Sequence, residues 1–332
     1  MQVTYVDRET AALPRGIAYA LAAGLMWGLV FVAPAMLPQY PPAALAFGRY
    51  LAFGLIALLL VLPDRAALSR LTRADWLEAL KLALVGNIIY YLFLAAGIQA
   101  AGVPLGSVII GTLPVVIAVC ANWTDRHLPW ARLAPSLGLM ATGIALVNHT
   151  EFARIDVSDP ARVRAYWVGG LLTVVAVACW TWYPIRNARW LQRHPHLASR
   201  AWATAQGLMT LPLAAAGWAG FMVWLEFHPL PGFDTGRFDA ALGPEPLKFV
   251  GLMFAIGLFA SWLGTLAWNR ASQLLPTSLA GQLIVFETLA ALAYGFMHRG
   301  QWPGWMTAGG IALLVAGVIL GVRAFQRQSQ GA

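Results

Sequence analysis

Residues 102–146 read GVPLGSVIIGTLPVVIAVCANWTDRHLPWARLAPSLGLMATGIAL, and a close counterpart returns at 274–320 as LLPTSLAGQLIVFETLAALAYGFMHRGQWPGWMTAGGIALLVAGVIL. Pro104 matches Pro276, Pro129 matches Pro303 and Gly143 matches Gly317, the spacing drifting by two residues after the first anchor. Each copy has a proline ahead of an apolar run, a short polar break, a second proline, and another apolar run with a glycine near its end. Upstream, Trp27 pairs with Trp180 and Pro42 with Pro195 at a common offset of 153. A two-fold internal repeat of this kind governs the reading of the whole chain.

The chain is 59% hydrophobic and 11% charged, with a mean hydropathy of +0.66, against roughly 25% charged residues in soluble domains. Ten apolar runs cover 16–36, 42–62, 79–100, 104–122, 134–148, 167–185, 201–224, 249–269, 277–297 and 305–322. Runs of about 20 residues are long enough to cross a hydrocarbon core of roughly 30 Å as helices. The expected fold class is therefore an all-α integral membrane protein of ten transmembrane helices. Five spans per half is an odd number, so the second copy must enter the membrane upside down, giving an inverted 5+5 repeat. The expected divisions are a first five-helix unit at 1–148, an external connector at 149–166 and a second, inverted unit at 167–325. The offset grows from 153 to 172 between early and late anchors, and the connector 225–248, with its HPLPGF and GPEP turn signals, absorbs the difference.

The formal net charge is +8, yet no nucleic-acid motif accompanies it. Topology accounts for the basic residues better. With the N-terminus cytoplasmic, the inside segments hold Arg8, Arg15, Arg65, Arg70, Arg73, Arg126, Arg132, Arg186, Arg189, Arg193, Arg200, Arg270, Arg323 and Arg327, while the outside segments are poorer. Both termini are thus expected in the cytoplasm. The first 15 residues are polar with no cleavage signature after them, so the first span is expected to be retained. Cys120 and Cys179 lie inside spans and read as packing residues, with no metal spacing and no disulfide framework.

The segments LMWG in the first span, PPAALAFGRYLAFGLIALL in the second, and GSVIIGTLPVVIAV with LPWARLAPSLGLMATGIALV after it resemble the EamA repeat of the drug/metabolite transporter superfamily. The resemblance implies ten spans, an inverted 5+5 repeat and export of small metabolites across a bacterial inner membrane. Within that superfamily the abundant aromatics and the large outside loops look most similar to YddG-type aromatic amino-acid exporters. Three departures stand out. Asp125 fills a place where the family often has an acid, but its counterpart is Arg299. Arg49, the family's basic residue near the start of the second span, has Trp202 as its equivalent. The ninth span reads Glu287-Thr288 where the family often reads Glu-Pro.

Glu287 lies deep in a span, where an unpaired carboxylate costs several kcal/mol. One reading is a proton or substrate-amine site, since a desolvated carboxyl can take and release a proton; the other is a carboxyl that fastens the ninth helix to a neighbour. Gln282 and Asn87 are amides at depth, suited either to a zwitterionic cargo or to bonds between helices. Trp27, Phe31, Tyr90, Tyr91, Trp180 and Trp262 are candidates for a cavity wall that stacks flat or apolar cargo, against the alternative of core packing. Pro34, Pro114 and Pro184 lie within apolar runs and are candidate hinges. The pairs Gly24 and Gly28, Gly102 and Gly106, and Gly317 and Gly321 are read as internal helix packing, so a monomer is expected, with a homodimer as the alternative. Arg49 is expected to snorkel to the outer interface; contact with a substrate carboxylate is the other reading.

No nucleotide-binding GxxxxGK[ST], GxSxG or HExxH is present, and the six histidines lie in connectors or at span ends. The residues therefore favour a secondary carrier without cofactor or metal, acting on a small-molecule substrate in the lipid bilayer. Amino acids, including aromatic ones, are the first expectation for cargo, with drugs, nucleobases or sugar-linked metabolites as the alternative. A membrane-embedded enzyme is the remote alternative, and a channel lacks its rings of charge or filter loop.

Overall fold

The computed structural model describes residues 3–31, 36–101, 103–125, 128–149, 160–233, 240–300 and 302–330. Among these residues there are ten helical rods and no strand. They are α1 (Val3–Gly28, ending in a 3-10 turn at Leu29–Phe31) and α2 (Pro42–Leu68), then α3 (Arg73–Ala83 continued as Tyr90–Ala101). Next come α4 (Val103–Gly111 then Leu113–Asp125), α5 (Trp130–Val147), α6 (Pro160–Arg193) and α7 (Ser199–Phe227). The last are α8 (Pro246–Ile256 continued as Gly264–Leu274), α9 (Thr277–Leu283 then Val285–Arg299) and α10 (Trp305–Gln330). Lipid offers the backbone no hydrogen-bond partners, so apolar runs of this length satisfy themselves as helices. Local chemistry marks the ends. Pro42 and Pro246 open α2 and α8, where a missing N–H costs nothing. A reciprocal Thr72–Asp75 capping box starts α3, and Gly300, at φ +61°, closes α9 in a left-handed conformation that favours glycine.

Among the described residues, eight helices are long and apolar enough to cross a membrane, and Leu113–Asp125 is a shorter apolar helix. The expected first span, 16–36, includes 32–35, which lie outside the described residues. Two expected spans are not continuous. The fourth breaks at Thr112, whose hydroxyl donates to the Ile109 carbonyl at 2.6 Å, and the ninth at Ile284. These breaks stand 172 residues apart, the same offset as Pro104 and Pro276. The third and eighth rods both contain a π-helical turn, at Leu84–Ile89 and Gly257–Leu263. Such turns recur at functional sites.

Packing repeats the internal symmetry. The α3 rod packs on α6 as α8 packs on α1, α9 packs on α1 as α4 does on α6, and α2–α7, α4–α9 and α5–α10 are self-paired. Exchanging each helix for the one five places on maps these contacts onto themselves. The match reaches single atoms at α5–α10. A Cβ on Gly143 would meet the Gly310 carbonyl at 2.8 Å and the Leu314 side chain at 2.9 Å. A Cβ on Gly317 would meet the Ser136 carbonyl at 3.0 Å and the Met140 side chain at 2.7 Å. Ser136, Met140 and Gly143 stand 174 residues before Gly310, Leu314 and Gly317. Gly54 and Gly207, equivalent at 153, are each pressed against the facing helix of the α2–α7 pair.

Gly143→Val forces a side chain into backbone that cannot move aside. Overpacking of this kind costs about 1–3 kcal/mol, so the detergent-solubilised variant is expected to melt several degrees lower than the parent. An unchanged melting temperature would show that α5 and α10 can separate freely.

Candidate substrate site

The central part of the bundle, where α1, α2, α3, α6, α8 and α9 meet, holds a continuous row of aromatic rings. Tyr90 stacks on Trp180 with centroids 4.9 Å apart, and Trp180 stacks on Tyr183 at 5.2 Å. Trp27 meets Trp180 edge-on at 5.9 Å and tilts against Trp268 at 5.4 Å. The row needs its backbone neighbours to be small. A Cβ at Gly86, in the π turn of α3, would lie 2.3 Å from the Tyr183 ring, and one at Gly264, just after the π turn of α8, would lie 2.7 Å from Trp27 Nε1. Each π turn is thus followed or occupied by a glycine on which an aromatic of the opposite half rests.

A basic and an acidic side chain lie near this row. Arg49 does not snorkel: its Nε donates to Ser261 Oγ at 3.0 Å, and its guanidinium sits 5.1 Å from the Tyr50 ring centre. Ser261 belongs to the π turn of α8, so the second helix and the eighth are tied at this point. Glu287 is within electrostatic reach of both Arg49 and Tyr90, and among the described residues no side chain donates a hydrogen bond to its carboxylate. Its backbone is held close instead, because Gly24 of α1 packs directly on the Phe286–Glu287 peptide. The space next to Arg49, bounded by Val30, Tyr50, Tyr91 and Met253, is only about 30 Å³, room for roughly one water molecule.

Of the residues singled out in the sequence, Trp27, Tyr90 and Trp180 come together in the row, with Tyr91 and Glu287 next to it. Others go elsewhere. Gln282 is fully buried between α5, α9 and α10, where its Oε1 accepts from Ser136 Oγ at 3.2 Å and the Gly321 backbone packs against it. Asn87, in the π turn of α3, donates to Thr210 Oγ1 of α7 at 3.1 Å. Trp262 donates to Thr204 Oγ1 at 3.2 Å, and that hydroxyl donates to Asp64, whose other oxygen pairs with Arg200. The Phe31 side chain and Pro34 lie outside the described residues. Pro114 sits in the first turn of the second segment of α4, where it starts a helix rather than kinking one, and Pro184 lies within the unbroken α6.

Several participants carry no clear mark in the sequence. Tyr183 is one turn from Trp180 and its face was legible, yet its partner was not: the hydroxyl donates to Gln206 Oε1 at 2.9 Å. From there a buried chain runs through Asn187 to Asn269, with Trp202 donating to Asn187 Oδ1 at 2.9 Å. Trp202, standing where a symmetric copy would repeat Arg49, has become part of this neutral network. The two halves thus differ at this position, the first holding a cation and the second a buried amide network.

Both ends of the bundle are tied. At one, Arg186 of α6 grips Glu78 of α3 through two nitrogens, and Arg189 bonds to Asp125 of α4 at 2.8 Å. At the other, the Tyr40 hydroxyl donates to the Leu242 carbonyl and accepts from the Glu245 N–H, both at 2.9 Å, while Gln39 bonds to the Glu245 carboxylate. Burial pushes the Tyr40 phenol above the ordinary tyrosine range, so it stays a donor there.

Ten helices in two related halves around a polar and aromatic centre define a multi-pass membrane transporter. Residues 14–149 match the model of the EamA-like transporter family. The inner membrane protein YtfF of Escherichia coli (strain K12) is 49% identical over 314 residues, spanning 93% of this chain and 95% of that protein. The chain belongs to the EamA-like transporter family and is a multi-pass inner membrane protein. One solved crystal structure is similar with a TM-score of 0.64 at 17% identity, covering 94% of this chain and 97% of that one; it shares the fold.

Proposed function

We propose that this transporter is a secondary carrier that exports amino acids, aromatic ones included, by alternating access between the halves 1–148 and 167–325. The observation that carries the reading is that Arg49 and Glu287 lie within electrostatic reach of the Tyr90–Trp180–Tyr183 stack. A guanidinium suits a carboxylate, a carboxylate suits an ammonium group, and stacked rings suit a flat side chain. Cargo would take its place by parting rings that now stack on each other. The ion pairs at one end and the Tyr40 clamp at the other would open in turn. The arginine-rich end faces the cytoplasm in this reading, with both termini on that side. Gly24 and Gly28 are occupied by α9, and Gly317 and Gly321 by α5 and Gln282, which supports a monomer.

The test is flux in liposomes carrying the purified protein, with a panel of labelled amino acids, nucleobases and cationic drugs, each with and without a pH gradient. Saturable movement of phenylalanine, tyrosine or tryptophan is expected; movement of a nucleobase or drug alone would overturn the cargo assignment. Trp180 has a ring on either face, and aromatic pairs are worth roughly 0.5–1.5 kcal/mol each. Trp180→Ala is therefore expected to lower aromatic amino-acid flux about tenfold while sparing alanine or serine. Equal loss for large and small cargo would make the row a packing feature.

A further inference from the structure

Away from the centre, a groove of about 710 Å³ runs between α4 and α6. Its walls are apolar, including Ile109, Val116, Val174 and Ile185, and Val174, Trp182 and Cys120 are exposed along it. One end carries Arg186, Arg189 and Arg193. Arg186 is held by Glu78 and Arg189 by one oxygen of Asp125, while Arg193 is exposed and has no ion pair among the described residues. Three guanidinium groups face two carboxylates, one of which, Glu78, is also shared with Lys81 at 3.8 Å, so the described residues leave the mouth of this oily trough net positive. From Val174 to Ile185 the apolar wall is about 16 Å long at the helical rise, close to half of a hydrocarbon core of roughly 30 Å. The groove is one leaflet deep.

We propose that this groove is a binding site for an anionic phospholipid. One acyl chain lies between α4 and α6, and the phosphodiester sits at Arg193 and the free side of Arg189. The occupant's negative charge meets a net positive mouth with Arg193 unpaired among the described residues, and planar guanidinium forks fit phosphate oxygens. Thr181, 7% exposed on the groove wall, has a hydroxyl without a hydrogen-bond partner among the described residues. Placed about 8 Å below Arg186 along the helix, it is available to an ester carbonyl, which removes the cost of an unsatisfied donor. A second groove of about 720 Å³ lies between α9 and α10, with Leu25 of α1 at its side and Phe286, Met297, Trp302 and Ile311 in its walls, and no charged side chain is among its lining residues. It supplies the internal comparison, because an acyl chain alone would show no preference between the two.

The experiment uses delipidated full-length protein. Native mass spectrometry with phosphatidylglycerol and phosphatidylcholine of identical chains is expected to show about fivefold preferential retention of the anionic lipid, the effect of one basic residue near a headgroup. Arg193→Gln is expected to bring the two lipids to parity and Arg193→Lys to keep most of the preference. In a Cys179→Ser background, maleimide labelling of Cys120 is expected to be slowed by phosphatidylglycerol more than by phosphatidylcholine, and not by inorganic phosphate. Equal retention of both lipids by the parent, or an unchanged preference in Arg193→Gln, would overturn the site. Protection of Cys120 by inorganic phosphate alone would assign the arginines to a soluble anion and overturn the lipid. None of these readouts depends on which cargo the transporter carries.

Discussion

Arg49→Gln is expected to lower amino-acid flux in liposomes about ten- to a hundred-fold, the equivalent of one lost charge-assisted hydrogen bond of roughly 1.5–3 kcal/mol. The guanidinium is turned inward by Ser261 and the Tyr50 ring rather than toward lipid headgroups, so in the proposed site it is the group that meets the cargo's carboxylate. Two controls separate this from a structural role. Arg49→Lys keeps the charge but loses the planar fork, so it should recover only part of the flux. An aromatic amine without a carboxylate should move equally well through the parent and Arg49→Gln. If amine and amino acid lose flux together, Arg49 serves to tie α2 to α8 and the binding assignment fails.

Glu287→Gln is expected to abolish the effect of a pH gradient on transport while the protein still inserts and melts normally. One pH unit is worth about 1.4 kcal/mol, a tenfold bias for a carrier that exchanges one proton per cargo. In the parent that bias should appear as a difference in flux with and without the gradient; in Glu287→Gln the two rates should coincide. The position supports the expectation. The carboxylate lies within electrostatic reach of Arg49 and Tyr90, with no direct donor among the described residues, so its charge matters to the binding centre without being locked in an ion pair. Gradient-driven flux that survives in Glu287→Gln would move proton coupling elsewhere or remove it.

Much of the fold was legible because membrane helices are written in the chain directly. Apolar runs long enough to span, prolines at helix starts and repeated anchors such as Gly143 and Gly317 each follow from local chemistry. The atom-level reciprocity of α5 and α10 is the same repeat seen in contact. Less was legible in the site. Trp27, Tyr90 and Trp180 stand out in the sequence as aromatics at depth, and the structure brings these three rings together. Gln282 and Trp262 also lie at depth, yet they are occupied by Ser136 and Thr204. A polar or aromatic residue at depth looks identical in the sequence whether its partner is cargo or another helix. Arg49 was misplaced for a related reason: a basic residue two turns from an interface has a free route to water, and only Ser261 on a distant helix reveals that it turns inward.

The sequence by itself determined that this chain is an all-helical membrane protein with two related halves, because backbone hydrogen bonding in lipid and the length of a bilayer leave apolar runs no other solution. It also carried the family, through short motifs in fixed order. Only the tertiary structure decided that α4 and α9 are broken 172 residues apart and that α3 and α8 carry π turns. The same holds for the difference between the halves, with an inward Arg49 in one and a neutral Trp202–Asn187 network in the other. These outcomes depend on what each side chain meets across the bundle, and a partner 212 residues away, as Ser261 is from Arg49, leaves no local trace.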